Sequence, residues 1–554
     1  SLGGNQNIIR FDSSNVIFLL GQNNVGKSSF LNAYEFFTRP AQKADLSDFF
    51  KYNTSNAIEI EADFHKEDGD EENTDFVEPD WIENWVQAES GLITVKKVWS
   101  EPNKAFKKYT KNSEGEFTLN GFGGMDSLFT KYSPQAVTIN AVETVEALEK
   151  KVNEIINNEH LKKLKVKYVT EYTAAVTAIQ KIQEKITSSD AIEEINTNIN
   201  ESFRKVFPSL SLKISVKDEG AGIDVTKAFK TNHSIDVKKD GVERKETFAQ
   251  HGHGVIRQAL FNFLAFMKSQ GVGVRKEYLL LFEEPELFLH PKSTRLLRQE
   301  LYSLAENSPF QILCCTHCPQ MVDISKPHCS LVRVCKNEDE TTITHQVGHD
   351  IFQSAVNKDF VQMINRFDPN VCEVFYASSV CLVEGDTEAV ICREILRAKY
   401  PEKDIYILNT GSKNNIPFFQ RILAHFNIPY VVIHDSDTRY AYIDRERTKV
   451  RTKQDGQPWA NSAWTLNQSI WDELESAVSK GVVARRIVSV YDFESENGYE
   501  MNAQDGKPLS AYKFSVNCAN ELPISIALGE IASGEYTKTW TQEEIEKVVE
   551  PFQG

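Results

Sequence analysis

The sequence predicts an α/β protein in which a P-loop nucleotide-binding domain, interrupted by a helical insert, precedes a second domain built on a parallel sheet. Three observations carry this. Gly21-Gln22-Asn23-Asn24-Val25-Gly26-Lys27-Ser28-Ser29 has the Gly-x-x-x-x-Gly-Lys-Ser spacing and stands between an apolar run and a helical pattern. Residues 143–205 are low in Gly and Pro, with Ile179, Ile182 and Ile186 at helical spacing between charges. After Phe375, short apolar runs alternate with helical patterns, as in a parallel sheet. The segments are therefore 1–142 and 206–370 for the two parts of the nucleotide-binding domain, 143–205 for a helical arm or dimerisation insert, and 371–554 for the second domain.

Residues 15–21 read as a buried strand feeding the loop, and Ser28 to Phe37 as the helix that follows. The glycines let backbone N–H groups wrap phosphates, and the helix points its positive end at the anion. Lys27 is expected to reach the terminal phosphates and Ser28 to ligate Mg²⁺, with Asn24, Gly26 and Ser29 completing the nucleotide-binding set. Ala57 to His65 alternates apolar and acidic residues, as a half-exposed strand does, and the acidic stretch from Glu67 to Asp80 reads as a surface loop. Glu277 to Glu284 reads as an apolar strand ending in acids. Of Glu283 and Glu284, one can hold the hydration shell of Mg²⁺ and Glu284 can polarise an attacking water. Phe310 to Thr316 is a further strand with His317 at its tip, suited to sensing a γ-phosphate. Gly252 and Gly254, within His251-Gly252-His253-Gly254, offer small residues at a helix start, where a nucleotide held by another subunit could bind.

In the second domain the expected elements are Ser379–Glu384, Ile405–Leu408, Ile416–Phe426, Tyr430–His434, Trp471–Lys480 and a strand over Ile487–Phe493. Glu384 and Glu388 flank a turn at Gly385, and Asp435 and Asp437 stand two apart at the end of another strand. In a parallel sheet all four meet at the carboxyl edge. Hard carboxylates at this density repel one another unless Mg²⁺ or Mn²⁺ neutralises them. A pair of such ions could activate water and stabilise the leaving oxygen of a phosphodiester.

Composition sets limits. The chain has 554 residues, 41% hydrophobic, with a formal net charge of −17, so nucleic-acid affinity has to come from a local basic stripe. Lys162-Lys163-Leu164-Lys165-Val166-Lys167 reads as a solvated face. The stretch from Arg439 to Lys453, with Arg445, Arg447, Lys449 and Arg451, is better placed because it follows the carboxylates directly. The nine cysteines lie mostly in apolar runs, which argues against a disulfide framework and for a cytoplasmic location. Cys315, His317 and Cys318 resemble half a zinc site with no second half at suitable spacing. No apolar run is long enough to span a bilayer and no signal peptide is visible, so no membrane partner is expected. The phosphate loop lies so near residue 1 that a strand ordinarily preceding such a domain is expected to be missing or shortened.

The first set of motifs resembles the ABC-type ATPase head shared by SMC and RecF-like proteins, in which two heads sandwich two ATP molecules. That resemblance implies that Lys27 and Ser28 are Walker A, Glu283 and Glu284 Walker B, Gly252 to Gly254 the signature loop and His317 the switch histidine. The signature loop departs from the usual Ser-Gly-Gly core, implying slow hydrolysis or a required partner. Val383-Glu384-Gly385 followed by Asp435-Ser436-Asp437 resembles the Toprim fold. The two in one chain resemble the OLD (overcoming lysogenization defect) family, with the Gabija nuclease subunit and retron-associated effectors among its relatives. Thr410-Gly411-Ser412-Lys413, Phe493-Glu494 and Lys507-Pro508 extend the match. The resemblance implies Glu384, Glu388, Asp435, Asp437 and Glu494 as metal ligands, with Asp492 the alternative to Glu494. Glu384 and Asp435 would be catalytic, and Lys507, or alternatively Lys513, would stabilise charge on the phosphate. It further implies ATP and Mg²⁺ (or Mn²⁺) as cofactors, DNA endonuclease activity in antiphage defence, and a homodimer or higher even-numbered oligomer. The implied defence partners are a helicase-like subunit or a reverse-transcribed DNA–RNA hybrid.

Two other readings compete. A non-cutting RecF-type repair or scaffold ATPase has no need to keep mutually repelling carboxylates. A topoisomerase or primase needs a nucleophilic Tyr on a separate DNA-gate domain, for which no segment remains.

Overall fold

The computed structural model describes residues 2–4, 7–66, 81–122, 126–140, 167–187, 236–237, 246–247, 278–306, 308–350, 371–444 and 447–549. The acidic stretch 67–80, Lys162 to Val166, Gly252, Gly254, Arg445 and most of the 143–205 arm lie outside them. The chain forms two compact units, residues 1–141 with 264–554, and residues 142–263. In the second unit, Val169–Thr187 is a helix and Asp236–Val237 pairs antiparallel with Glu246–Thr247.

Two sheets dominate the first unit. The larger has the order Thr342–Gln346, Leu331–Lys336, Val16–Leu20, Phe310–Cys315, Tyr278–Glu283 and Gln135–Ile139. Its neighbours are parallel except at the Thr342–Gln346 edge. Val16–Leu20 is buried at every position, as expected of a continuous apolar run with parallel neighbours on both sides. Residues 8–10 run beside the antiparallel edge. Ile8 N donates to Thr344 Oγ1 (3.0 Å) and Arg10 N to Gln346 Oε1 (2.7 Å), which covers part of that edge. Helix Lys27–Thr38 follows the loop and buries Phe30, Leu31 and Phe37.

A four-stranded antiparallel sheet of Ile58–His65, Leu92–Trp99, Lys107–Lys111 and Phe117–Leu119 packs Ile93 and Val95 on Phe37 and Phe122. In Ile58–His65 the apolar side chains are half-buried and the polar ones exposed, in strict alternation.

The second large sheet has the order Ile405–Asn409, Ser379–Val383, Tyr430–Asp435, Ala484–Ser489, all parallel. Cys381, Val383, Val431 and Ile433 share a core with Ile391 and Ile395 of helix Asp386–Lys399 and with Leu528 of helix Pro523–Ser533. Two expected boundaries are corrected. The strand expected over Ile487–Phe493 is Ala484–Ser489, and Phe493 instead opens helix Phe493–Asn497, because the Asp492 carboxylate accepts from Ser495 N (2.7 Å) as an N-cap. The helix expected from Trp471 starts at Ser462, where Asn461 accepts from Ala463 N (3.0 Å).

The two large sheets meet through polar contacts. The Tyr376 hydroxyl donates to Cys318 O (3.2 Å), Arg333 Nη1 donates to Asn427 O (2.7 Å), and His328 Nδ1 lies 3.1 Å from His425 Nε2. All nine cysteines are free. Among the described residues no helix is long and apolar enough to cross a membrane.

Candidate functional site

The phosphate loop is shaped by backbone that only particular residues adopt. Gly21 (φ +148°) and Gly26 (φ +105°) lie in the left-handed region, and a Cβ on Gly21 would come within 2.2 Å of Val334 O. Asn24 also has positive φ (63°), which Asn tolerates better than most residues. Lys27 Nζ is buried and donates to Gly21 O (2.8 Å) and Gln22 O (2.6 Å); burial lowers its pKa to about 8. Ser28 is exposed on the first turn of the helix and Ser29 N donates to Gly26 O (3.0 Å).

One strand, Phe310–Cys315, separates the loop strand from the acid-tipped strand Tyr278–Glu283, so His317 emerges between Lys27 and Glu284. Its Nδ1 is 3.4 Å from Lys27 Nζ, and its Nε2 is 3.5 Å from Glu284 Oε1. An ammonium has donors only, so Nδ1 accepts and the imidazole is neutral with its proton on Nε2, facing the carboxylate. Burial, then Lys27, hold the His317 pKa down at about 4. Glu284 takes φ +44° as the chain leaves the strand, a conformation that costs roughly 1–2 kcal/mol in a residue with a Cβ; Glu284 N donates to Cys315 O (2.9 Å). Glu283, the last residue of its strand, pairs in register with Cys315. Glu286, unmarked in the sequence, is half-buried and accepts from Thr316 Oγ1 (2.5 Å) and His317 N (3.3 Å). Burial raises its pKa, and its Oε2 has no hydrogen-bond partner.

At the second sheet the acids gather at the carboxyl ends of adjacent strands. Glu384 follows Ser379–Val383 and accepts from Asp435 N (2.8 Å). Asp435 ends its strand; burial first, then the fields of Glu384, Glu388, Asp437 and Glu494, push its pKa up to about 9. Burial likewise lifts Glu384 to about 7 and raises Glu388. Asp437 has φ +58° and its N–H donates to Tyr491 O (2.9 Å). Among the described residues no three His, Cys, Asp or Glu side chains close into a set that encloses a cation. The acids share one field without converging on a point. Cys315, His317 and Cys318 form no such set either.

Three cationic or imidazole groups underlie these acids, and none was assigned a role from sequence. Lys413 is buried and its Nζ donates to Asp435 O (2.5 Å) and Asp437 Oδ2 (2.6 Å). Arg486 is fully buried. Its Nε donates to His434 Nε2 (2.8 Å), which leaves the His434 proton on Nδ1, donated to Asp435 O (2.7 Å). Lys413 sits in the Thr-Gly-Ser-Lys segment, which is its sequence signal; Arg486 carries none beyond a charge inside an apolar strand.

The alternatives separate. The charge of Lys507 acts on Glu388, whereas Lys513 is exposed and bonds Asp505 with both contacts at 2.8 Å. Glu494 acts on Asp435 and Glu388, whereas Asp492 is engaged as a helix cap and by Arg447. Gln22 of the phosphate loop reaches the second sheet, its Nε2 donating to Ser378 Oγ (2.6 Å) and Asp404 Oδ2 (2.5 Å).

Comparison with known proteins matches part of each large sheet. The AAA ATPase domain family matches residues 87–322, and the overcoming lysogenization defect protein-like TOPRIM domain matches residues 375–437. The chain resembles OLD-family proteins, with an AAA ATPase match and an OLD-like TOPRIM match in one sequence. Among curated OLD proteins, the Old nuclease of Escherichia phage P2 is 23% identical over 447 residues, 76% of this chain and 73% of that protein. The OLD nuclease of Thermus scotoductus is 27% identical over 180 residues, 32% of this chain and 34% of that one. Among solved structures, the SMC head domain from Thermotoga maritima is 12% identical, covering 60% of this chain and 91% of that chain at a TM-score of 0.28. With these two domain matches and its two largely parallel sheets, the chain has the α/β fold expected, an ATPase domain followed by a Toprim domain.

Proposed function

We propose that this chain is an OLD-type, ATP-regulated, divalent-metal-dependent DNA endonuclease acting in antiphage defence. The observation that carries the reading is the gathering of Glu384, Glu388, Asp435, Asp437 and Glu494 at one sheet edge, where burial first and then the neighbouring acids push the Asp435 pKa up to about 9. A binding surface for an anionic polymer gains nothing from buried, mutually repelling carboxylates. The donor set consists of hard carboxylate oxygens, five acids against the Lys413 ammonium paired with Asp437 (2.6 Å), which fits Mg²⁺ or Mn²⁺. These five acids would hold the metal, which when bound supplies an activated water and positive charge at the phosphate oxygens. Lys413 and the His434–Arg486 pair fix the Asp435 backbone carbonyl, and Lys413 also fixes the Asp437 carboxylate. Lys507, whose charge is felt at Glu388, would neutralise the phosphate as negative charge builds on it.

At the ATPase end, Lys27, the loop N–H groups and Asn24, Gly26 and Ser29 would cradle the phosphates, with Ser28 and Glu283 on the ion. Glu284 would orient water, with His317 holding it in place; Gly254 would serve a nucleotide on a partner subunit. We assign 1–142 and 206–370 to the ATPase, 143–205 to a dimerisation arm and 371–554 to Toprim, and infer a homodimer or higher even-numbered oligomer. The names of the phage P2 and Thermus relatives support the nuclease reading.

The test is incubation with supercoiled DNA and Mg²⁺ or Mn²⁺, with and without ATP, beside Asp435→Ala and Lys27→Ala. Nicking lost in Asp435→Ala supports the nuclease, and the ATP and Lys27→Ala lanes give the sign of control. Intact DNA in every lane, across a range of partners and DNA forms, favours the RecF-type scaffold.

A further inference from the structure

The chain leaves the Asp435–Asp437 strand end directly into a small knob, residues 439–461. Three extended segments are knitted there. Arg451 N donates to Ala441 O (2.8 Å), Trp459 N to Arg451 O (2.8 Å), and Ala441 N to Trp459 O (2.9 Å). Antiparallel bridges join Tyr442 with Val450 and Thr452 with Pro458. A turn at Gly456 (φ +82°) closes the tip, with Gly456 N donating to Lys453 O (3.0 Å).

The knob is basic on an acidic body. Between Arg439 and Trp459 stand six Lys or Arg against three acids, in a chain of net charge −17. Lys449, Arg451 and Lys453 alternate along one extended segment and are exposed, which puts them on one side at a repeat of about 6.8 Å; Arg447, also exposed, lies in the turn before it (φ +58°). Among the described residues no ion pair engages Lys449, Arg451 or Lys453. Trp459 is 47% exposed, with the Arg451 guanidinium 5.5 Å and the Lys453 ammonium 5.9 Å from its ring centroid. At the other end, Arg447 lies over the Tyr491 ring (4.8 Å) and pairs with Asp492, the cap of the helix bearing Glu494. The cationic row therefore runs from the carboxylates outward to an exposed indole.

We propose that this knob is the docking surface for a single nucleic-acid strand, with one unpaired base stacked on Trp459 and its flanking phosphates on Arg451, Lys453 and Lys449. This rests on the nuclease reading above and adds to it the form of nucleic acid held beside the acids. An unpaired strand fits better than a duplex, because bases in a duplex are already stacked and give an indole no face to cover, whereas a basic groove with an aromatic platform is how unpaired strands are held. Charge complementarity excludes an apolar peptide as the occupant.

The experiment is fluorescence anisotropy of a labelled oligo(dT) 20-mer and a 20-base-pair duplex, in EDTA, over a salt series. It compares wild type with Trp459→Ala and with Arg451→Ala/Lys453→Ala. The wild type is expected to prefer the single strand. Trp459→Ala should weaken single-strand binding about 5- to 150-fold, the range for one base–aromatic stack, with little effect on the duplex. The double variant should lower the salt slope by about 1.4, for two phosphates at roughly 0.7 each. All three positions are exposed, and an unchanged melting temperature shows that the fold is kept. Unaltered binding in both variants, or no binding by wild type, overturns the proposal. Plasmid cleavage with Mn²⁺ is scored separately. Cleavage with unaltered binding in the variants sinks the knob and spares the nuclease, whereas knob-dependent binding without cleavage does the reverse.

Discussion

Gln22 and Asp404 are 382 positions apart, yet the Gln22 Nε2 of the phosphate loop donates to the Asp404 carboxylate at 2.5 Å, while Asp404 also accepts from Ser378 N (2.9 Å). A loop that binds nucleotide and a sheet that ends in acids are thereby joined by one amide. Gln22→Ala is expected to leave ATP affinity within a few-fold of wild type, because the contact uses the side chain and not the N–H groups that face phosphate. The ratio of plasmid cleavage with and without ATP should move towards one. ATP affinity by calorimetry, set beside that ratio, checks this; a ratio equal to wild type would show that the contact transmits nothing.

The acid cluster predicts a metal response that needs no substrate. A cation that binds the folded chain alone stabilises it by about 2.7 kcal/mol at one hundred times its dissociation constant. Mn²⁺ should raise the melting temperature of wild type by several degrees, EDTA should reverse the rise, and Asp435→Ala should abolish it together with cleavage. A similar rise in Asp435→Ala would move the binding site elsewhere.

Lys413 should matter to stability as well as to activity. It is 5% exposed and bonds Asp437 at 2.6 Å, and losing a hydrogen bond to a charged group costs on the order of 1.5–3 kcal/mol. Asp437 is partly exposed, so the lower end of that range is expected for Lys413→Met in urea unfolding. Added Mn²⁺ should restore more stability to this variant than to wild type, since it replaces the missing cation. Equal gains in both proteins would count against the idea.

The junction between the sheets predicts a pH dependence of stability. Burial, then His328, His349 and Lys480, hold His425 down at about 3, and His328 is lowered too, burial outweighing the nearby Asp350. In the unfolded chain these rings take up protons near pH 6.5. Between about pH 6.5 and 3 the unfolded state therefore binds more protons at these rings, and their contribution to stability rises with pH across that window. The histidine contribution should lower the melting temperature as pH drops from 7 towards 4, against the opposite contribution of Glu384 and Asp435, whose raised pKa values make the folded chain bind more protons there. The melting temperature of His425→Gln minus that of wild type should therefore rise as pH drops from 7 towards 4, measured by scanning fluorimetry at each pH; parallel curves would show that His425 contributes nothing.

What sequence reasoning reached and missed follows from range. The loop from Gly21 to Ser29 is legible because its geometry is set by consecutive residues, and Glu384 and Asp435 because each ends an apolar strand. The His317 bridge between Lys27 and Glu284 needs the sheet order, which places Phe310–Cys315 between two strands distant in sequence. Lys413, Arg486, Glu286 and Gln22 act through partners brought close only by folding. Phe493 reads as strand because it follows the apolar run from Ile487 to Tyr491, although Asp492 before Glu494 and Glu496 is a local sign of a helix start.

The grip of Gln22 falls on Ser378 and Asp404, at the amino ends of two Toprim strands, while Glu384 lies at the carboxyl end of the strand that Ser378 precedes. Six residue steps at about 3.3 Å each put roughly 20 Å between handle and blade. A movement of the phosphate loop passed on by this contact would reach the acids as a tilt of a stiff plank. A change buried at mid-strand, at Cys381 or Leu382, would bend the plank and alter how ATP is felt without touching either end.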